Sequence, residues 1–203
     1  MIRIFTRRTR LHGSYPSYQN SDRLSLFLWV AFFAYTTGVA ILFQQLIVPL
    51  VPSMEASRGL FSPDSLYFHK VAATLAETIV REGWQHWTPW PPPNTYGNVA
   101  VLAALYAVFG PDPALSIPVN AFLHASAGLL LFLIGKELFS GRAAYIASIV
   151  AACLFVVFPS GLNWYAQVHK DGYAIFGFLL IIYAGLKALR SEQTWLSAFY
   201  TII

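Results

Sequence analysis

Charged residues and cysteine are both scarce in this sequence. Lys, Arg, Asp and Glu make up 11% of its 203 residues, whereas about a quarter of a soluble globular chain is charged. The composition therefore excludes an ordinary soluble enzyme, and the single cysteine excludes a disulfide scaffold. A hydrophobic fraction of 57% also excludes a disordered chain, which could not keep so much apolar surface in water. These exclusions leave an all-α, polytopic helical membrane protein.

The motifs that bind nucleotides and zinc are missing as well. The sequence has no glycine-rich phosphate loop, no dinucleotide fingerprint and no paired-cysteine zinc pattern, so no nucleotide-activated substrate is indicated.

The formal net charge of +4 owes much to an arginine-rich start at positions 3, 7, 8 and 10. In a membrane protein such a cluster sets the topology and contacts anionic lipids. We therefore expect membrane lipids, and no nucleic acid, among the partners.

Four apolar runs predict full transmembrane helices, each of which needs about 20 residues. They cover residues 24–51, 117–139, 143–159 and 171–189. The first lacks a cleavage site, so we interpret it as an uncleaved signal anchor that follows a basic cytoplasmic tail, residues 1–23. A fifth run, Trp195 to Ile203, is too short to cross, and we expect it to be the stub of a further helix in a fragment or a truncated product.

The distribution of lysine and arginine predicts the orientation. With residues 1–23, the turn 135–142 and residues 187–192 in the cytoplasm, nine of the 13 basic residues lie inside. The apolar run 98–110 would reverse this arrangement if it spanned, and it is too short to do so. We expect it to be a juxtamembrane or re-entrant helix. The prediction is a multi-pass plasma (inner) membrane protein with a cytoplasmic N-terminus and an outer loop over residues 52–118.

A second amphipathic helix is predicted earlier in this outer loop. Ser62 suits the N-cap, Pro63 the first helical position and Asp64 the positive end of the helix dipole. The helix should run to about Glu82 and lie on the membrane interface. Its apolar stripe, at spacings of three and four, consists of Phe68, Val71, Ala72, Leu75 and Ile79.

Three tryptophans follow this helix in the proline-rich segment 83–94. Prolines forbid a regular helix there and favour an extended path. An interfacial anchor suits the tryptophans. An aromatic lining for a sugar or lipid headgroup suits them as well, and Trp90 is then a substrate contact. The segment alone leaves both interpretations open.

The second outer loop, residues 159–172, brings His169, Lys170 and Asp171 to the mouth of a helix. Asp171 could simply cap that helix. Alternatively, Asp64 and Asp171 reach the same membrane face from two loops, where opposed carboxylates can hold a divalent cation. One carboxylate can also act as a general base on a hydroxyl acceptor. Lys170, His169 and His69 could then pair with a phosphate leaving group.

The polar and small residues inside the predicted spans lead to further predictions about their neighbours. Gln44 and Gln45 require other helices or water beside them, and His124 should either hydrogen-bond to a neighbouring helix or line a cavity. Small residues at 125–128 and at 147, 148, 151 and 152 suit close helix packing. Few ionisable residues stand in the spans, which disfavours a transporter.

The order of these pieces resembles the GT-C superfamily of integral-membrane glycosyltransferases, among them the protein-mannosyltransferase-like and aminoarabinose-transferase-like groups. The resemblance covers about 24–190. Its motifs are the tract Ser62–Phe68, the run 98–110, the tract 118–123, the turn 136–144, and the Lys170-Asp171 pair after Phe158-Pro159-Ser160.

The resemblance implies an enzyme that takes a sugar from a polyprenyl-phosphate donor and transfers it to an outer lipid, glycan or protein acceptor. Asp64 matches the family's catalytic aspartate, and Asp171 matches a second aspartate in its active site. Tyr67, His69, His169, Lys170 and Trp90 are the expected substrate contacts. A truncated, non-catalytic membrane protein, or a helical subunit of a larger complex, is the alternative.

Overall fold

The computed structural model describes residues 18–51, 53, 57–91 and 96–190, and its regular elements there are helices. The basic residues at 3–10, the segment 92–95 and the run 195–203 lie outside the described residues. In chain order the α-helices are α1 Tyr18–Ile41, α2 Val48–Leu50, α3 Pro63–Glu82, α4 Gly97–Phe109, α5 Ser116–Leu138, α6 Arg142–Val157, α7 Leu162–Tyr165 and α8 Asp171–Arg190.

Three helical stretches are long and apolar enough to cross a membrane: Asp22–Leu50, Pro113–Leu138 and Asp171–Leu189. The first joins α1 to α2 through a π-helical segment, Leu42–Ile47, just before Pro49, which has no N–H to donate to the preceding turn. The chain is therefore an all-α protein with the character of a multi-pass membrane protein.

The predicted span 143–159 differs from the structure. α6 ends at Val157, and the chain continues as Pro159–Tyr165 after a bend of 51°. Pro159 explains the break, because its ring cannot continue the hydrogen-bond ladder of α6. A fourth span is counted only if this bent pair crosses as one unit. The predicted outer loop 159–172 accordingly contains the short helix α7.

Helix α5 is the centre of the apolar bundle and packs against α1, α6 and α8. Trp29 of α1 donates to the Ser126 hydroxyl, and Thr36 lies 3.5 Å from the Ala121 carbonyl oxygen, so α1 and α5 run antiparallel. Contacts between Gly128 and Val156 and between Gly135 and Ser148 make α6 antiparallel to α5 as well. We call these four helices the bundle.

Small residues let the bundle helices approach closely, as the sequence predicts. A Cβ at Gly128 would lie 2.6 Å from Val156 and 3.2 Å from Phe32, so only glycine fits between α1 and α6. Ala125, Ala152 and Ser148 are buried at the same interfaces, whereas the neighbouring positions 147 and 151 are exposed.

The two ends of the bundle show how α5 and α8 are aligned. At one end the Lys187 ammonium lies 2.7 Å from the Glu137 carboxylate, which joins the last turns of α5 and α8. At the other end Ser116 and Tyr173, from the first turns of the same helices, line one cleft. α5 and α8 are therefore parallel, as expected if α6 carries the chain back from the end of α5 towards the start of α8.

Helices α3 and α4 pack against each other beyond the start of α5. As predicted, Ser62 is the N-cap of α3, Pro63 is its first residue, and the helix ends at Glu82 before Gly83. Ser62 makes no side-chain capping hydrogen bond. The predicted apolar stripe is covered by α4 and Val168 rather than left for lipid. The stripe thus makes an intramolecular contact, and it does not itself anchor α3 to a membrane interface.

Candidate functional site

Three buried amides join the π-helical segment and α5 to the two segments that precede α3 and α8. Gln167 is fully buried; its Oε1 accepts from the Phe61 N–H, and its Nε2 donates to the Gly59 carbonyl. Asn120 of α5 donates to the Gln167 carbonyl at 2.7 Å. Gln44 donates to the Ala166 carbonyl at 3.1 Å. We call these three side chains, Gln44, Asn120 and Gln167, the amide clamp.

The turn held by the amide clamp needs glycine at position 59. Gly59 has a φ of +76°, and a Cβ there would collide with the Gln44 carbonyl. The turn is closed by a bridge between Ser57 and Leu60. Buried polar groups without hydrogen-bond partners are costly, so the pairing fixes residues 57–61 against residues 166–168. We call residues 57–61, α3, α4 and residues 159–170 the cap layer.

Several candidate side chains meet beside the amide clamp. The Phe68 ring of α3 lies 5.1 Å from the Tyr96 ring and 6.2 Å from the His169 ring. The Lys170 ammonium sits 4.8 Å from the centroid of the Tyr96 ring, a cation–π arrangement. His169 Nδ1 lies 3.3 Å from the Asp171 carboxylate. His169, Lys170 and Asp171 therefore stand at the contact between α3, the start of α4 and the start of α8.

Asp64 occupies the first turn of α3 and is exposed. It precedes Phe68 by one helical turn on the same face. The Phe68 ring in turn faces the His169 ring, and His169 pairs with Asp171 at the start of α8. Within the described residues no hydrogen bond or ion pair joins Asp64 to Asp171, and no group of three or more His, Cys, Asp or Glu could hold a metal. A cation at these two carboxylates stays a prediction.

His69 contacts a different residue, Tyr106 of α4. Its Nδ1 lies 2.7 Å from the Tyr106 hydroxyl of α4. Burial, with the nearby Arg58 guanidinium, lowers the pKa of His69 from its ordinary value of 6.5, and burial raises the pKa of Tyr106. A neutral imidazole and a hydroxyl can each donate or accept, so the tautomer of His69 decides which of the two donates in this hydrogen bond. The structure therefore makes His69 a contact between α3 and α4 and does not bring it to His169 by any described contact.

The remaining predicted contacts, Tyr67 and Trp90, are accessible. Tyr67 is 40% exposed, with its ring against Phe68. Trp90 is 66% exposed and lies near Gly97, while Trp87 donates to the Ala100 carbonyl. The tryptophan segment is thus folded back on α4 with Trp90 open to its surroundings. Both interpretations of this segment stay open.

A cleft that the sequence analysis missed opens next to His169. It lies between α4, α5 and the start of α8 and has room for about one water molecule. Asn98, Ser116, Asn120 and Tyr173 supply polar atoms to its lining. The sequence does not predict this cleft. Asn98 stands at the start of the apolar run 98–110, where an asparagine looks like an ordinary helix cap.

Buried His124 meets the first expectation through part of its ring only, which hydrogen-bonds to the backbone of a neighbouring helix, α6, at Phe155 and Val156. It stacks on Phe155 and Tyr165, both with centroids 4.7 Å away, so it packs against α6 and α7. Its Nε2 has no hydrogen-bond partner in the described part of the chain. Gln44, in contrast, meets its expectation, since it is buried and bonded to another segment.

The geometry at this end of the bundle is thus a cluster of His169, Lys170 and Asp171 on one clamped segment, with Asp64 exposed on the helix that follows the other clamped segment. The chain matches no protein-family model, no curated protein and no solved structure.

Proposed function

We propose that the chain acts in a membrane glycosyltransferase that moves a sugar from a polyprenyl-phosphate donor to an extracytoplasmic acceptor. The supporting observation is the amide clamp, since it holds the segment before Asp64 against the segment before Asp171. A reaction between a lipid-borne donor and an outer acceptor needs groups from two loops at one end of the bundle. Under this proposal the cap layer faces outward and the N-terminus is cytoplasmic.

The proposed reaction is a single displacement at the anomeric carbon. The Asp64 carboxylate takes the proton of the acceptor hydroxyl, whose oxygen forms the new bond to C1. The bond from C1 to the phosphate oxygen breaks, and polyprenyl phosphate leaves with the electron pair. Lys170, with His169 when protonated, balances the phosphate charge. Attack opposite the leaving group inverts the anomeric configuration.

Asp64 and Asp171 are also the residues that would hold a divalent cation. Hard cations take six or more oxygen ligands, so two carboxylates would need donor phosphate and water to complete the shell. Such a cation would neutralise phosphate charge. Asp171 would otherwise orient His169, from which it lies 3.3 Å.

The test is transfer of label from a panel of polyprenyl-phosphate sugars to membranes that contain the chain. Asp64→Asn is expected to lower transfer at least about a hundredfold, the usual scale of general-base catalysis. Glu77→Gln is the matched control, because Glu77 is an exposed carboxylate on the same helix. Wild-type transfer in the Asp64→Asn chain would refute the catalytic role. An arm with EDTA tests the cation.

A helical subunit of a larger complex is the second candidate, and α8 favours it. None of its most apolar 18-residue window is buried within the chain. A Cβ at Gly177 or Gly185 would meet nothing within 4 Å, so these glycines leave room for another helix. A partner that copurifies in fixed stoichiometry and is lost in Gly177→Leu would favour this function over the enzyme.

A further inference from the structure

Large apolar side chains are exposed where α3 ends. Val80, in the last turn of the helix, is 69% exposed, and Trp84, just beyond that turn, is 55% exposed. Trp90 is 66% exposed. The apolar stripe of α3 is covered by α4 and Val168, so it is not available to lipid. These three side chains are therefore the apolar surface that α3 and the tryptophan segment present to their surroundings.

Trp87 holds the tryptophan segment in a fixed position. Its indole N–H donates to the Ala100 carbonyl of α4 at 3.0 Å, and its backbone N–H donates to the Trp84 carbonyl at 3.1 Å. The Trp90 ring lies beside Gly97, the first residue of α4, where a Cβ would be 3.7 Å from the ring. Because the segment is fastened to α4 at two places, the exposure of the tryptophans on either side of Trp87 is a property of the fold.

Helix α4 brings these tryptophans close to the level at which two spans begin. Residues 98 and 101 of α4 share one cleft with the first turns of α5 and α8. The tryptophan contacts, at residues 97 and 100, belong to the same turn of α4. A helix with its side chains is about 10 Å across, and the headgroup region on each side of a bilayer is about 5–8 Å thick. The tryptophans are therefore within reach of the headgroup layer at this end of the bundle.

The charges beside the tryptophans are already paired. The Arg81 guanidinium lies 2.7 Å from the Glu82 carboxylate, and His86 lies 3.6 Å from the second oxygen of the same group. Residues 81–90 contain no other Lys, Arg, Asp or Glu, so their net charge is zero with His86 neutral. An anionic lipid surface attracts unpaired cations, whereas zwitterionic headgroups suit a neutral segment. Tryptophan also suits this layer, because its ring is apolar and its N–H is polar.

A surface for a sugar would need polar side chains that converge on the ligand beside the aromatic ring. The polar groups next to these rings have partners within the segment and α4. The Trp87 indole donates to Ala100, and the Thr88 hydroxyl accepts from the Trp90 N–H. The cleft beside His169 is lined by none of the tryptophans. The geometry thus favours lipid over sugar as the neighbour of the exposed rings.

We propose that Val80, Trp84 and Trp90 form an interfacial anchor, which inserts into the zwitterionic headgroup layer at the cap-layer end of the bundle. Trp87 fastens the anchor to α4. The anchor holds α3 and α4 against the bilayer through their connecting segment, while the apolar stripe of α3 serves the contact between the two helices. The proposal does not depend on glycosyl transfer, and it makes Trp90 a lipid contact instead of a substrate contact.

The experiment measures the depth of the tryptophan rings in nanodiscs that contain the full chain. The lipids are phosphatidylcholines that carry bromine either near the headgroup or near the bilayer centre, because bromine quenches the fluorescence of rings close to it. Subtracting the spectra of Trp84→Phe and Trp90→Phe from that of the wild type gives the signal of each ring. Both signals should lose more intensity to bromine near the headgroup than to bromine near the centre.

The matched control is Ile181→Trp, which adds a ring at an exposed position in the middle of the span Asp171–Leu189. Its added signal should be lost mainly to bromine near the bilayer centre. Trp87→Phe removes the hydrogen bond to Ala100. Hydrogen exchange over residues 84–90 should then become faster, and bromine near the headgroup should quench the neighbouring tryptophans less.

Three results would overturn the proposal. The first is quenching of the Trp84 and Trp90 signals by acrylamide in the water phase but by neither brominated lipid. The second is protection of these signals from acrylamide by added methyl glycosides, which would show a sugar surface. The third is a quenching pattern that is unchanged in Trp87→Phe, which would remove the fastening role. Headgroup-level quenching in a chain that transfers no sugar would support the anchor and refute only the proposed glycosyltransferase.

Discussion

The bundle and the cap layer are held together by different interactions. In the bundle, small residues such as Gly128 and Ala152 bring apolar helices into contact. In the cap layer, fully buried amides such as Gln167 bind backbone groups far away in sequence. Steric fit fixes the first region, and hydrogen-bond pairing fixes the second. We therefore expect that substitutions can destabilise the bundle or the cap layer separately.

The largest effect is expected in the bundle. Gly128→Leu would drive a side chain into Val156 and Phe32. Overpacking of this kind costs about 1–3 kcal/mol or more, and here the backbones of three helices would have to separate. We expect loss of folded protein, measured as the monodisperse fraction recovered after solubilisation. Gly38→Leu is the control, because a Cβ at Gly38 meets nothing within 4 Å. Equal recovery of the two variants would contradict close packing at Gly128.

A smaller effect, confined to the cap layer, is expected from Gln167→Leu. The change removes the two hydrogen bonds that the Gln167 side chain makes with the Phe61 N–H and the Gly59 carbonyl, each worth about 0.5–1.5 kcal/mol. Hydrogen exchange should become faster at residues 57–61 and in the first turn of α3, and stay unchanged in α5. Gln85→Leu, at an exposed glutamine, is the control. Faster exchange throughout the bundle would show that the two regions are not separable.

The smallest effect concerns pH and the contact between α3 and α4. Burial lowers the pKa of His69 from 6.5, so below that value the unfolded chain binds more protons than the folded one. The stabilising contribution of neutral His69 is complete above pH 6.5 and declines as the pH falls towards the folded pKa. Since His69 is only half-buried, a shift of a few degrees at most is expected. His69→Gln should flatten the pH dependence of the melting temperature; an unchanged slope would contradict this assignment.

Much of the bundle can be predicted from the sequence, because hydropathy and charge act locally. The predicted spans 117–139 and 171–189 agree with helices Ser116–Leu138 and Asp171–Arg190 to within a residue or two. Ser62 and Pro63 predicted the start of α3 for the same reason. The bend after Val157 was missed, although Pro159 is visible, because an apolar run does not reveal whether the chain resumes as a helix.

The candidate site is less predictable, because its geometry depends on contacts between distant residues. Gln167 resembles any polar loop residue in the sequence, yet its partners lie 106 and 108 positions away. The unpaired acceptor of Asn98 becomes apparent only in the folded chain. The stripe of α3 was predicted as apolar, but a single sequence cannot tell whether a helix or a membrane covers it.

The most direct test of the account is a double-mutant cycle on sugar transfer with Asp64→Asn and Asp171→Asn. If residues from both loops serve one reaction centre, the losses should be strongly non-additive. The double variant should then be about as slow as Asp64→Asn alone. Two losses that simply multiply would contradict the central claim that the clamped loops form a single site.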